Sequence, residues 1–237
     1  MPNFSKNITI PIGSETMGAY LSRPSGRAIG SMLLIQEIFG VTPAMRAIAD
    51  DFANAGQIVI VPDIYWRLDR DLDLGNGEDE AQRNLAVAFS NRYDETQGVQ
   101  DLVAAVDYLA EYSQSSVRPS VLGFCLGGRL SVRVAAAAQL SSAVTMYGVG
   151  LDQCAKDIQR AGCPIQFHYG ENDNHNPVQK IDAVRTIVAA RGNAQDEFFT
   201  YPQAEHAFYN RHRFDRFDEQ AHELARSRVL SFIERQG

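Results

Sequence analysis

Residues 121–128 read VLGFCLGG, and the reading of this stretch decides the fold. A β-type apolar run stops at Gly123-Phe124-Cys125-Leu126-Gly127, and an Ala-rich helical stretch, Leu126–Ala138, follows almost without a loop. The pattern is G-x-S-x-G with sulfur in place of the hydroxyl oxygen. A strand that turns straight into a helix forces its tip residue into strained backbone geometry. Side chains two positions to either side would collide with the turn, and glycine at both places removes the collision. Such a turn lifts the tip residue above the sheet and sets it at a helix N-terminus, where the dipole and free N–H groups favour thiolate over thiol. A buried structural cysteine between two glycines is the alternative; the strand before and the helix after weigh against it.

Working outward, short β-rich runs alternate with amphipathic helical stretches along the whole chain. Asn3–Ile10 and Met17–Ser22 are expected as two opening strands joined by a turn at Gly13. Ser31–Ile35 (SMLLI) and Gln57–Val61 (QIVIV) have the continuous apolar character of strands buried on both faces. Between them Thr42-Pro43 supplies an N-cap and a first-turn proline for a helix ending near Gly56. Asp63–Asn76 is polar and punctuated, and is expected as a surface excursion. Helices are expected over Glu78–Arg92, Glu95–Tyr112, Ala155–Arg160, from Pro177 to Gly192, and from about Asp215 to Glu234. The later strands are Ser116–Gly123, Ala143–Tyr147, Pro164–Tyr169 and Glu197–Tyr201. This alternation implies an α/β protein with a mostly parallel sheet and helices on both faces. No repeat, low-complexity tract or linker interrupts it, so one domain over residues 1–237 is the economical expectation.

Composition narrows the function classes. A hydrophobic fraction of 45% with 22% charged residues is ordinary for a soluble globular protein. The net charge of -7 argues against binding a nucleic-acid backbone, where a basic face supplies most of the affinity. An anionic substrate would then need a local basic patch. Three cysteines, Cys125, Cys154 and Cys163, do not make a secreted disulfide framework. Residues 1–11 lack the apolar core of a signal peptide, and no stretch approaches the roughly 18 apolar residues of a membrane span. The cytosol is the expected compartment, with reduced thiols and no membrane partner.

A fold with a nucleophile elbow supplies its acid and then its base after the nucleophile, each just past a strand end. Ile165–Tyr169 is followed by Gly170-Glu171-Asn172-Asp173, which sets Asp173 where the acid belongs. Glu197–Tyr201 is followed by Pro202-Gln203-Ala204-Glu205-His206, which sets His206 where the base belongs. His206 would share the thiol proton and later protonate the leaving group, and Asp173 would fix its tautomer. A solvated turn aspartate and a loop histidine are the bland readings of the same two residues. Of the other histidines, His175 is the only rival near the acid loop. The strand SMLLI runs into Gln36-Glu37-Ile38-Phe39-Gly40, in the place of the loop that donates one oxyanion N–H. The expected donors are the backbone N–H groups of Ile38 and Leu126. Glu37 reads equally well as a carboxylate acting on a nearby thiol or as a cap or ion-pair residue.

QEIFG at 36–40, GFCLGG at 123–128, YGVGL at 147–151, FHYGENDNHNP at 167–177 and EHAF at 205–208 together resemble the dienelactone hydrolases, a family of the α/β-hydrolase fold. The resemblance covers nearly the whole chain. It implies Cys125 as nucleophile, His206 and Asp173 as its partners, and Glu37 as a carboxylate that controls the thiol. The family's founding activity is hydrolysis of dienelactone to maleylacetate in bacterial breakdown of chlorinated aromatics, and it holds the substrate carboxylate with arginines. Arg83 matches one of these positions, Tyr147 matches a pocket tyrosine, and Phe39 belongs to the matched QEIFG stretch. The second arginine position holds Asn210, with Arg211 one residue later, and aromatic positions of the family hold Val87 and Ser90. Arg211-His212-Arg213 remains a basic cluster suited to an anion, or simply a solvated run.

The expected chemistry is acyl transfer through a thioester on a small, anionic lactone or ester, by a monomer or small homo-oligomer without metal or organic cofactor. No metal-ligand pattern such as H-E-x-x-H occurs. The rival readings are a cysteine acyltransferase or peptidase on the same fold and a non-catalytic binding scaffold. A redox protein is disfavoured because Cys154 and Cys163 lack CxxC spacing.

Overall fold

The apolar runs become strands and the amphipathic stretches helices in the computed structural model, which describes residues 4–237. The first strand is described from Phe4; Asn3, where the sequence would start it, lies outside the described residues. The chain divides into two compact units, one reaching to Pro119 and the other running from Ser120 to Gly237.

The first unit contains β1 (Phe4–Ile12), β2 (Glu15–Arg23), β3 (Gly30–Ile35), α1 (Pro43–Asn54), β4 (Gln57–Pro62), α2 (Glu80–Arg92) and α3 (Glu95–Ser113). Its strands lie in the order β1-β2-β4-β3. The β1–β2 hairpin turns at Gly13 with φ +60 and pairs antiparallel, as does β2 with β4, while β3 and β4 are parallel. β3 is buried from Ser31 to Ile35, as its unbroken apolar run requires. Thr42 caps α1 by accepting from Met45 N at 3.4 Å, and Pro43 occupies the first turn. The helix lays Ala44, Met45, Ile48, Ala49, Phe52 and Ala53 against β4 and β2. Asp79 and Asp94 cap α2 and α3 in the same way, so α2 begins at Glu80 rather than Glu78.

The segment after β4 is a surface excursion only in part: Arg67, Asp69, Arg70, Asp71 and Asp73 are exposed, but its first residues are not. Asp63, Ile64, Tyr65 and Trp66 are all buried, as is Leu74. Tertiary partners satisfy the polar atoms that made the segment look solvated. Asp101 on α3 accepts from Trp66 Nε1 at 3.0 Å and from Arg67 Nε and Nη2 at 2.8 and 3.0 Å. The Asp63 carboxylate accepts from the backbone N–H groups of Tyr65 and Asp71 at 3.0 and 2.9 Å. Burial pushes that carboxyl up from 3.8 to about 6, outweighing the two N–H donors. The folded state then holds the Asp63 proton more tightly than the unfolded state, so stability falls as pH rises from about 4 through about 6, by up to ~3 kcal/mol. Urea titrations of wild type and Asp63→Asn across that range are the check: the wild type's slope against pH is expected to flatten in the variant. Parallel pH dependences would remove Asp63 as the cause.

The second unit contains β5 (Ser120–Phe124), α4 (Leu126–Ala135), β6 (Ala143–Met146), a 3-10 turn (Leu151–Gln153), α5 (Ala155–Arg160), β7 (Ile165–Gly170), α6 (Val178–Arg191), β8 (Glu197–Tyr201) and α7 (Glu219–Gln236). Its strands run parallel in sequence order, β5-β6-β7-β8. β5 begins four residues later than expected because Ser115 turns the chain, accepting from Val117 N at 3.1 Å, and Pro119 has no N–H to give a ladder. α7 starts at Glu219 rather than near Asp215. Residues 210–217 form turns instead, and Asp218 provides the cap by accepting from Ala221 N at 2.9 Å. Loops at the carboxyl ends of parallel strands are where such sheets carry their ligands, and here those loops hold Cys125, Tyr147, Asp173 and His206. Among the described residues no helix is long and apolar enough to cross a membrane.

Candidate active site

Cys125 sits between β5 and α4 with φ 55 and ψ -112, a conformation that L side chains rarely adopt. The strain is held by backbone bonds: Cys125 N donates to Met146 O at 3.0 Å, while its carbonyl accepts from Arg129 N and Val149 N, both at 3.3 Å. The glycine argument has a concrete basis. A Cβ at Gly123 would lie 1.8 Å from Gly127 O and 2.3 Å from Gly127 C, both backbone atoms that cannot move aside. Gly123→Ala is therefore expected to destabilise the protein by at least about 3 kcal/mol, lowering Tm by roughly 6–12 °C or preventing folding. A thermal melt that moves by less than about 2 °C would contradict the turn geometry.

Leu126, the first residue of α4, is buried, and α4 has no side chain capping its N-terminus. Its N–H groups there point past Cys125, the arrangement that suits an anion.

The loops that carry Asp173 and His206 are fastened to each other. Glu171 N donates to Tyr201 O and Asn172 N to Ala204 O, both at 3.0 Å. Gly170 lets them approach, since a Cβ there would meet Ala204 O at 2.3 Å. Across this seam His206 Nδ1 meets Asp173 Oδ2 at 2.7 Å, both residues being buried. Asp173 Oδ1 accepts from the N–H of His175 at 2.7 Å and of Asn176 at 3.2 Å. These donors and His206 outweigh burial, and hold the Asp173 carboxyl below the usual carboxylate range.

Cys125 is a second hydrogen-bond partner of His206. Burial opposes a charged ring, but the Cys125 sulfur and the Asp173 carboxylate together raise it from 6.5 to about 10. Tyr147 lies edge-on to the His206 ring with centroids 4.9 Å apart, and packs as well on Phe124 and Phe208. The structure thus brings Cys125, His206, Asp173 and Tyr147 together in one unit.

Asn176 is a residue of this site that the sequence did not single out. Its Nδ2 donates to Asp173 Oδ2 at 2.9 Å and to Tyr147 O at 3.3 Å, tying the Asp173 carboxylate to the tyrosine backbone. Its signal was its place three residues after the acid in DNHNP, where an Asx-type turn returns the chain to the carboxylate. The other two cysteines are buried elsewhere in the unit, and burial pushes the Cys163 thiol up to about 12.

The remaining candidates lie in surroundings of their own. In the first unit Glu37 is buried just past β3, and Ile38 is partly buried. Phe39 is buried in a cluster with Leu74 and Ala86, against Ile38, Leu72 and Phe89. Gly40 has φ +94 and would clash with Leu72 O at 2.0 Å if it carried a Cβ. Arg83 is exposed on α2 and donates through Nη1 to Gly77 O at 2.6 Å, closing the loop before its own helix. In the second unit Arg211 is ion-paired to Glu223 on α7 at 3.0 Å, and the buried Arg213 pairs with exposed Asp215 at 3.3 Å. The run Arg211-His212-Arg213 is therefore partly neutralised by local carboxylates. Among the described residues no three His, Cys, Asp or Glu side chains are arranged to hold a metal ion.

Comparison with solved structures identifies the class. A protein from Klebsiella pneumoniae superposes with a TM-score of 0.85 over 98% of this chain and 99% of its own, at 24% identity. Dienelactone hydrolase from Anabaena variabilis superposes at 0.73 over 98% and 97%, at 15% identity. The chain has the α/β-hydrolase fold. The dienelactone hydrolase family model matches residues 17–237. Carboxymethylenebutenolidase 1 of Cupriavidus pinatubonensis is 31% identical over 218 residues, covering 91% of this chain and 90% of that protein. Carboxymethylenebutenolidase of Pseudomonas putida is 31% identical over 219 residues, covering 92% and 91%. The chain belongs to the dienelactone hydrolase family.

Proposed function

We propose that this protein hydrolyses small lactones or carboxylic esters through a thioester on Cys125. The observation that carries the reading is the hydrogen-bonded line from a strained cysteine at a helix N-terminus, through His206, to buried Asp173. The Cys125 sulfur attacks the carbonyl carbon, the leaving oxygen takes a proton from His206, and the thioester forms. Water then gives a proton to His206 as it attacks, releasing the acid and restoring the thiol. Activated esters fit this chemistry better than peptides, whose amine leaving group needs strong acid catalysis. The acyltransferase or peptidase and the binding scaffold remain the competing outcomes.

The oxyanion falls to the backbone N–H groups of Leu126 and Ile38, and control of the thiol falls to Glu37. For Leu126 the support is its position as first residue of α4. For Ile38 and Glu37 it is the QEIFG stretch of the family. The carboxymethylenebutenolidase names of the relatives extend the reading to an anionic lactone such as dienelactone. Tyr147 and Phe39 would line its pocket, with Arg83 and Arg211 as the candidate carboxylate ligands. We take residues 1–237 as one α/β-hydrolase domain, because a single family model runs across both units. A cytoplasmic monomer or small homo-oligomer, acting on small molecules and not on nucleic acid or membrane, completes the proposal.

The test is hydrolysis of p-nitrophenyl acetate and of cis- and trans-dienelactone by wild type and Arg83→Ala. Turnover of dienelactone is expected, with KM raised about tenfold in Arg83→Ala and kcat changed less, as befits a uniform binding contact. Turnover of the simple ester alone would leave the chemistry and discard the substrate. No turnover of either would discard the enzyme.

A further inference from the structure

His175 has no part in the chemistry above, yet it lies against the residue on which that chemistry turns. Its backbone N–H is tied to Asp173 Oδ1 at 2.7 Å, which fixes where its side chain begins. Its ring meets the His206 ring with centroids 4.5 Å apart and an interplanar angle of 58°. His206 is buried and His175 is exposed, so a solvent-titratable imidazole touches a buried one. We propose that His175 is a positioning residue for His206, whose neutral ring supports the His206 imidazolium and whose protonated ring opposes it. The inference rests on the reading of Cys125 and His206 as the reactive pair.

The electrostatics around His175 are specific. The half of the ring turned inward is desolvated, and that desolvation together with the facing charge of His206 lowers its pKa from 6.5, with Arg216 and Arg213 acting in the same direction and Asp173 against it. The two arginines are themselves held by acids: Arg213 by Asp215 at 3.3 Å, and Arg216 by Asp215 at 3.4 Å and Glu205 at 4.0 Å. At neutral pH His175 is therefore uncharged, and its polarisable neutral ring lies tilted at 58° against that of His206, adding no positive charge beside the imidazolium. Below its own pKa it places a second positive charge beside the first. That charge favours return of the His206 proton to the sulfur, and the reactive thiolate is lost. A phenylalanine would keep the ring and lose the switch, whereas a lysine would leave it permanently on. Because His175 faces solvent, neither replacement opens a core cavity.

The experiment measures two things between about pH 5 and pH 8.5, a window around the ordinary histidine value: alkylation of the thiol by iodoacetamide, and kcat/KM for p-nitrophenyl acetate. The chains are wild type, His175→Phe, His175→Lys and Cys125→Ala. Wild type is expected to lose alkylation rate and kcat/KM together on acidification, with a midpoint below 6.5. In His175→Phe this acid limb moves down by about one pH unit, and at neutral pH His175→Lys is about tenfold slower in both measurements, with KM changed less than twofold. Coincident profiles for wild type and His175→Phe, or a lysine variant as fast as wild type, would overturn the proposal. If Cys125→Ala keeps its esterase activity, the thioester reading fails instead. The alkylation profiles separate the two failures, since they report the thiol without requiring turnover.

Discussion

Cys125→Ala is expected to lower kcat/KM for lactone and activated-ester substrates by about 10⁴-fold or more, with folding intact. The size follows from the way the parts act as a unit. Without the sulfur, His206 has no proton to exchange and no nucleophile to activate, and only binding and oxyanion stabilisation remain. Stability argues in the same direction as specificity. Cys125 holds φ 55 between β5 and α4, a strain that a merely structural cysteine would not need. Alanine keeps the Cβ and that backbone conformation, so circular dichroism and the thermal melt of the variant are expected to match wild type. Steady-state kinetics decide the matter. Residual activity above about one hundredth of wild type would show that the sulfur is not the nucleophile.

Asp173→Asn is the second large effect. An amide keeps the shape of the side chain, but its Nδ2 cannot accept from His206 Nδ1 across the present 2.7 Å. Rotated to present its oxygen to His206, the amide turns its NH2 toward the N–H groups of His175 and Asn176, which now give 2.7 and 3.2 Å bonds to Oδ1. Either orientation costs a hydrogen bond and misdirects the imidazole, so kcat is expected to fall about 10³- to 10⁴-fold. The pH profile carries the sign. The Asp173 carboxylate is one of the groups that raise His206 to about 10, so removing its charge lowers that value. The alkaline limb of kcat/KM, set by loss of the His206 proton, therefore moves to lower pH in the variant. An unchanged alkaline limb would mean that the limb belongs to another group.

How far the sequence foresaw the site depended on how local each signal was. The elbow was legible because its demands fall within six residues. Gly123 and Gly127 stand against each other across the turn, and a strand and a helix flank them in the same stretch. Asp173 and His206 were placed by order, since each follows a strand whose apolar run was visible. The start of α1 was also legible, through Thr42 and Pro43, while α3 was placed by its spacing alone. The first residues of α7 were misplaced because Asp215 and Asp218 are both plausible caps. Asp218 is the one that accepts from Ala221 N and caps the helix, while Asp215 pairs with Arg213 in the turns before it.

By itself, then, the sequence determined the strand–helix alternation, the strained cysteine and the order of its partners, all of which depend on neighbours along the chain. Only the tertiary structure decided what the polar residues do. Asp63–Asn76 looked solvated throughout, yet Trp66 and Arg67 reach Asp101 more than thirty residues away, and Asp63–Trp66 are buried. Arg211 could have met an anion or only water, and in the fold Glu223 on α7 pairs with it. Asn176 drew no notice and His175 looked like a rival to His206, yet one donates to Asp173 and the other lies against the His206 ring. The physical reason is common to all of them. An apolar run has one outcome, burial, and its period reveals the element that buries it. A polar side chain is satisfied equally by water or by a partner, and only the folded chain says which.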